Sequence, residues 1–143
     1  MKLRMIVAIA LVLSAAVAAG AQNRLYRFST GQVTLGPGQV LRVTVNGLGG
    51  NDTIRTQFMR ETYGMPTCSG GACRYFFNVE ALPVMMLSTH ESLSTDISQP
   101  TGSGGVGCVV AANTRNIRVI AMIVDTTTGE TVSFCSSAEV DTW

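Results

Sequence analysis

Lysine is all but missing from this chain: the only one, Lys2, sits near Arg4 at the extreme N-terminus, and every later positive charge is an arginine. Histidine occurs once, at His90, and tryptophan once, at Trp143. Charged residues are only 13% of the sequence, and the two signs nearly cancel. Each shortage excludes something. One histidine excludes a cupredoxin copper site, which takes two. Balanced charge gives no electrostatic reason to bind nucleic acid or an anionic membrane. No segment sustains an apolar period near 3.6 residues, which excludes a helical core.

The longest apolar run, Met5 to Ala19, spans about 15 residues and falls short of the roughly 20 that a membrane-spanning helix needs. Lys2 and Arg4 precede it, and the small residues Ala19-Gly20-Ala21 close it. This is the pattern of a secretory signal peptide over residues 1–21. It predicts an exported protein, in the periplasm, at the cell surface or in the medium, with no membrane span in the mature chain. The mature region 22–143 reads as one domain. Without Lys2 and Arg4 it keeps eight basic residues against nine acidic ones.

All four cysteines, Cys68, Cys73, Cys108 and Cys135, lie in the mature region. An even count in an oxidising compartment points to two disulfides, for which three pairings are possible. The expected pairing is Cys68–Cys73 and Cys108–Cys135. The first closes the short loop Ser69-Gly70-Gly71-Ala72, and the second would join two strands. In the chain-entropy description the short loop contributes about 2 kcal/mol and the long one about 3.5 kcal/mol.

Short alternating segments separated by Gly, Pro, Asn and Asp turns predict an all-β domain. In Val40 to Asn46, Leu41, Val43 and Val45 share one face while Arg42 and Thr44 share the other. Thr53 to Met59 turns Ile54 and Phe58 inward and Arg55 and Gln57 outward. Arg74 to Ala81 places Tyr75, Phe77, Val79 and Ala81 on one face. Pro83 interrupts the next run and demotes Val84 to Leu87 to a short or edge strand. Val106 to Ala112 and Ile117 to Val124 are the best strands of the second half. The turn Asp125 to Gly129 makes a hairpin with Glu130 to Ser136. After Arg118 the second face of Ile117 to Val124 is Ile120, Met122 and Val124. A strand apolar on both sides is either covered on both sides or a self-association surface, with Met85 and Met86 in a possible partner patch.

Candidate chemistry is sparse, and no cofactor or metal site is expected. Gly102-Ser103-Gly104-Gly105 lacks the aspartate that precedes the serine in chymotrypsin-like proteases. His90, with Glu91 or Asp96 to orient it, could serve as a general base in a small secreted hydrolase. Neighbouring strand residues point to opposite faces, however, which places Glu91 poorly for that task. The cysteines lack the close Cys-x-x-Cys spacing of zinc knuckles. Asn51-Asp52-Thr53 fits the N-glycosylation pattern. Arg42, Arg55 and Arg74 fall on outward faces and would form an anion-binding ridge if their strands were neighbours, suited to an acidic glycan. Tyr63, Phe76 and Trp143 are the candidate exposed aromatics.

The short alternating strands, with the phrase Leu35-Gly36-Pro37-Gly38-Gln39-Val40-Leu41, resemble a bacterial secreted immunoglobulin-like or related β-sandwich module. No tryptophan stands between Cys108 and Cys135, so the antibody-type core is not matched. The resemblance implies a single antiparallel β-sandwich of about seven to nine strands with two disulfides. It implies little about function, because sandwich modules host many. The leading expectation is a secreted, non-enzymatic module for extracellular interaction or self-assembly, with a protein partner or a second copy bound by strand addition. The segment Asn23 to Ser29 is the expected donor strand. A ligand-binding module for acidic glycans or another anion, and the His90 hydrolase, are the alternatives.

Overall fold

The computed structural model describes residues 25–50, 53–74, 76–135 and 137–140. The expected signal peptide, the asparagine of the glycosylation pattern, Tyr75 and Trp143 lie outside the described residues. Twelve strands occur among the described residues: β1 (Tyr26–Ser29), β2 (Gln39–Gly47), β3 (Ile54–Gly64), β4 (Thr67–Ser69), β5 (Ala72–Arg74), β6 (Phe77–Ala81), β7 (Met85–Leu87), β8 (Ser92–Ile97), β9 (Ser103–Ala112), β10 (Ile117–Asp125), β11 (Thr131–Cys135) and β12 (Ala138–Val140). No helix among them is long and apolar enough to cross a membrane.

The alternation read from the sequence decides which side chains enter the core. Leu41, Val43 and Val45 are fully buried, while Arg42 and Thr44 point outward from β2. Ile54 and Phe58 are buried on β3, with Arg55 exposed beside them. Fully burying a side chain of this size stabilises by about 1.5–3 kcal/mol. The core gathers Leu41, Val43, Val45, Phe58, Leu87, Ile97, Val106, Val110, Ile117 and Val119, contributed by two different sheets.

The larger sheet has the order β12-β1-β9-β3-β6, and β7 also pairs with β3. The second sheet has the order β11-β10-β2-β8. A third, two-stranded sheet is made of β4 and β5. All the pairings are antiparallel. The fold is sandwich-like in having two sheets around one core. It departs from the expected single sandwich of seven to nine strands by dividing its strands among three sheets. Two breaks account for the higher strand number. Pro83, which has no amide to donate, separates β6 from β7 along the edge of β3. Gly70 and Gly71, at φ 60° and 82°, fold β4 against β5 in a two-residue turn with positive φ at both positions.

The disulfide expectation is corrected as well. Cys68 and Cys73 are bonded. Cys108 and Cys135 are free thiols. Cys108 lies on β9, which packs across β2, whereas Cys135 lies on β11, two strands from β2 in its sheet. Two strand spacings are about 10 Å, beyond the roughly 7 Å between Cα atoms that a disulfide can span. Burial pushes the Cys108 thiol up to about 12 and raises Cys135 too. Unreduced, denatured protein should therefore present the two thiols of Cys108 and Cys135 to Ellman's reagent. A chain with no reactive thiol would carry a second bridge and contradict the fold.

Close backbone approach is a second constraint. A Cβ on Gly107 of β9 would lie 2.7 Å from the Gly31 carbonyl oxygen, where the chain leaves β1. Nothing larger than glycine fits without moving main chain. Gly107→Ala should cost about 1–3 kcal/mol in urea unfolding; an unchanged midpoint would show that the two segments are not in contact.

Candidate functional site

The sequence-predicted sites disperse once the chain folds. Arg42, Arg55 and Arg74 lie on β2, β3 and β5, in three different sheets, so no common ridge forms. Arg42 is committed to Asp96 through two hydrogen bonds of 2.7 Å, from Nε and from a terminal nitrogen. That pairing raises Arg42 and lowers Asp96 from their ordinary values. The pair continues as a ladder across β2 and β8, where the hydroxyls of Thr44 and Ser94 are 2.8 Å apart and Ser92 bonds Asn46.

His90 stands in the turn from Ser88 to Glu91, at φ 65°. Neither expected carboxylate serves it. Glu91 accepts the Ser88 amide at 2.7 Å, and Asp96 holds Arg42. Ser103 donates its hydroxyl to the Pro100 carbonyl at 2.7 Å. The full length of β8 separates the His90 turn from the loop that leads to Ser103. Among the described residues there is no group of three His, Cys, Asp or Glu able to hold a metal ion.

The two apolar patches are also apart. Ile120 and Met122 are half-buried on the outer face of β10, while Val124 pairs with Val40 and both are buried. Met85, half-buried, and Met86, exposed, belong to β7 in the other sheet. The described part of the expected donor segment is not free either; Asn23 and Arg24 lie outside the described residues. Tyr26 to Ser29 form β1, held between β9 and β12 inside the larger sheet.

What the structure does bring together lies at the far end of β3. This strand has eleven residues and is buried only in its first half: Ile54, Thr56 and Phe58 enter the core, whereas Arg60 to Gly64 are half-exposed. It continues into the hairpin β4–β5, and the chain returns through β6. Every residue of β4, β5 and β6 is exposed. The result is an arm, turned at Gly70-Gly71 and closed across its two strands by Cys68–Cys73. Its apolar side chains have no cover. Met65, Phe76 and Phe77 are each more than 60% exposed, and Val79 is 47% exposed. At the arm's base the Phe77 ring stacks on Tyr63, with centroids 6.1 Å apart.

Beside this base runs a groove of about 310 Å³ on the outer face of the larger sheet, lined by Arg27, Ser29, Met59, Glu61, Val79 and Val109. The Tyr63 hydroxyl donates to Glu61 Oε2 at 2.8 Å. Burial, then the bond to Glu61 and its negative charge, push the Tyr63 phenol up to about 12. On the opposite face of β3 and β6, Arg60 is ion-paired with Glu80. Further concavities among the described residues include one of about 200 Å³ lined by Leu25, Arg55, Gln57, Val84, Ala111 and Asn113 among others, and one of about 540 Å³ among end loops that carries no ionisable side chain.

The arm had a partial signal in the sequence, namely a cysteine pair around a Gly-Gly turn followed by two consecutive phenylalanines. The Glu61–Tyr63 contact has no signal beyond the i, i+2 spacing that puts both on one strand face. No protein-family model matches the chain, and no curated protein or solved structure matches it. The site is therefore argued on its geometry alone.

Ultraviolet titration should resolve one tyrosine ionising near 12. Glu61→Ala should bring it down, yet leave it above the ordinary value of 10, because burial is the larger cause and survives the substitution. An unchanged titration would show that the phenol is not bonded to Glu61.

Proposed function

We propose that this chain is an exported, non-enzymatic interaction module whose disulfide-closed arm binds another protein. One observation carries the reading: Met65, Phe76, Phe77 and Val79 are all exposed on or beside a single projecting hairpin. Isolated exposed apolar residues are ordinary, whereas a cluster with two phenylalanines costs solvation free energy unless a partner covers it. The Cys68–Cys73 bond supports the reading because it holds the hairpin in one shape before binding, which lowers the ordering cost of association. The same bond supports the exported part of the reading, because disulfides persist in oxidising compartments.

The arm is too open to enclose a small substrate, and its exposed apolar cluster of Met65, Phe76 and Phe77 supplies no acid or base. The anion-binding alternative gains no observation, because the three arginines proposed for it stand on separate sheets. The reading predicts a position-specific contact. A photoreactive phenylalanine analogue replacing Phe76, in protein made by its own cells, should cross-link to protein. The same analogue replacing Thr101, in the end loops, should not. No cross-link at Phe76, or equal yields at both positions, would remove the proposal.

A further inference from the structure

We propose that the partner is a second copy of this chain, joined edge to edge through β6, so that two of the larger sheets become one continuous sheet. The inference deepens the arm-binding reading and rests on it.

The first ground is the state of the edges. Native sheets protect an open edge with charge, proline, bulges or short length. Here the exposed residues of β8 are all polar, namely Ser92, Ser94 and Asp96, β11 has an irregular register against β10, β12 is three residues long with Glu139, and β7 is three residues long after Pro83. β6 differs from all of them. It pairs with β3 in unbroken register over all five residues, from Tyr63↔Phe77 to Met59↔Ala81. Its other side has no strand beside it among the described residues. Its single charge, Glu80, is already neutralised by Arg60.

The second ground is self-complementarity. A two-fold axis perpendicular to the sheet and midway between the two copies of Val79 is the placement that pairs every residue of β6 with a residue of the second copy's β6. On the outer face Val79 then meets Val79 of the second copy, and Phe77 meets Ala81 of the second copy. A large ring lies against a small side chain at both ends, so both rows can close. On the inner face Asn78 meets Glu80 of the second copy, and its amide can donate to that carboxylate. Opposite strand residues interact in this way when their side chains share a face. The symmetry is isologous, and each favourable row occurs twice.

The third ground is where the exposed apolar residues lie. Among the described residues ten large hydrophobic side chains are exposed, and six of them fall between Met65 and Met86: Met65, Phe76, Phe77, Val79, Val84 and Met86. In the two-fold register Phe76 stands opposite Leu82 of the second copy, next to the Phe77–Ala81 row. Strand addition thus sets apolar residues of one copy beside apolar residues of the other.

Analytical ultracentrifugation of the wild-type protein up to about 200 µM should show a concentration-dependent monomer–dimer equilibrium. Asn78→Asp sets a carboxylate against Glu80 of the second copy twice per dimer and should weaken association by about tenfold or more. Asn78→Lys, at the same exposed position, should preserve or strengthen it. Val79→Cys should form an intermolecular disulfide on mild oxidation, because that residue faces itself, whereas Asn78→Cys should not. A wild type that stays monomeric, or aspartate and lysine variants that behave alike, would overturn the dimer. The arm-binding reading falls separately, if the photoreactive analogue at Phe76 captures no protein or no more than at Thr101; a heterologous cross-link specific to Phe76 with a monomeric chain would keep that reading and discard this one.

Discussion

The rest of the structure depends on β3 being longer than the core that covers it. Its first half is fixed by burial, with Phe58 and Thr56 almost completely removed from water between the sheets. Its second half is fixed by pairing, since β9 runs beside it as far as Gly64. Hydrophobic burial therefore anchors the strand, and main-chain hydrogen bonds carry it on past the point where burial stops. That extension creates both candidate surfaces. The groove beside Glu61 and Tyr63 lies on its outer face, and the arm is where its chain turns back.

Such an extension is sustainable because the neighbour on the other side is narrow. β9 presents Gly105, Gly107, Val109 and Ala111 outward, opposite Tyr63, Glu61, Met59 and Gln57 of β3. At Gly107 the Gly31 carbonyl approaches so closely that any side chain would collide with it. The small side chains of β9 leave a depression between β1 and β3, and its taller walls are Arg27 on one strand and Met59 and Glu61 on the other. A groove on a sheet face needs this pattern of short residues flanked by long ones, since a uniformly packed face would be flat.

Period-two alternation was enough to assign the chain as all-β, with most of its strands and most of its core, though not the number of sheets. It named Leu41, Val43, Val45, Ile54 and Phe58 as inward, and each is buried. It placed the turn after β10 at Asp125 to Gly129, where the Asp125 carboxylate accepts the amides of Thr127 and Thr128. Alternation states which side chains share a face, but not whether anything lies on that face. The distinction accounts for β6, which begins at Phe77 rather than Arg74, and whose expected shared face of Phe77, Val79 and Ala81 forms and stays exposed. It accounts for the arginines too. Arg55 and Arg74 are exposed as expected, but the order of strands in space sent them and Arg42 to different sheets. The cysteines failed for a related reason. An even cysteine count suggested that Cys108 and Cys135 would join two strands, but a count carries no information on strand order. Strand order keeps them apart.

The location of the one disulfide bears on how the molecule works. A bridge between the sheets would add to the stability of the whole domain, as many do in small exported proteins. Cys68–Cys73 instead crosses the tip of an arm that contributes no residue to the central cluster. Its closed loop is short, so its effect on the unfolded chain is modest, about 2 kcal/mol in the entropic description. The core must therefore stand mainly on packing of Phe58, Leu41, Ile97 and their neighbours. What the bond changes most is local. An isolated two-stranded hairpin is marginally stable in water, and β4–β5 has no sheet of its own to lean on. Without the bond the tip would sample many conformations, and each encounter with a partner would have to select among them. With it, the exposed phenylalanines beside β5 and β6 are held in one arrangement before any partner arrives.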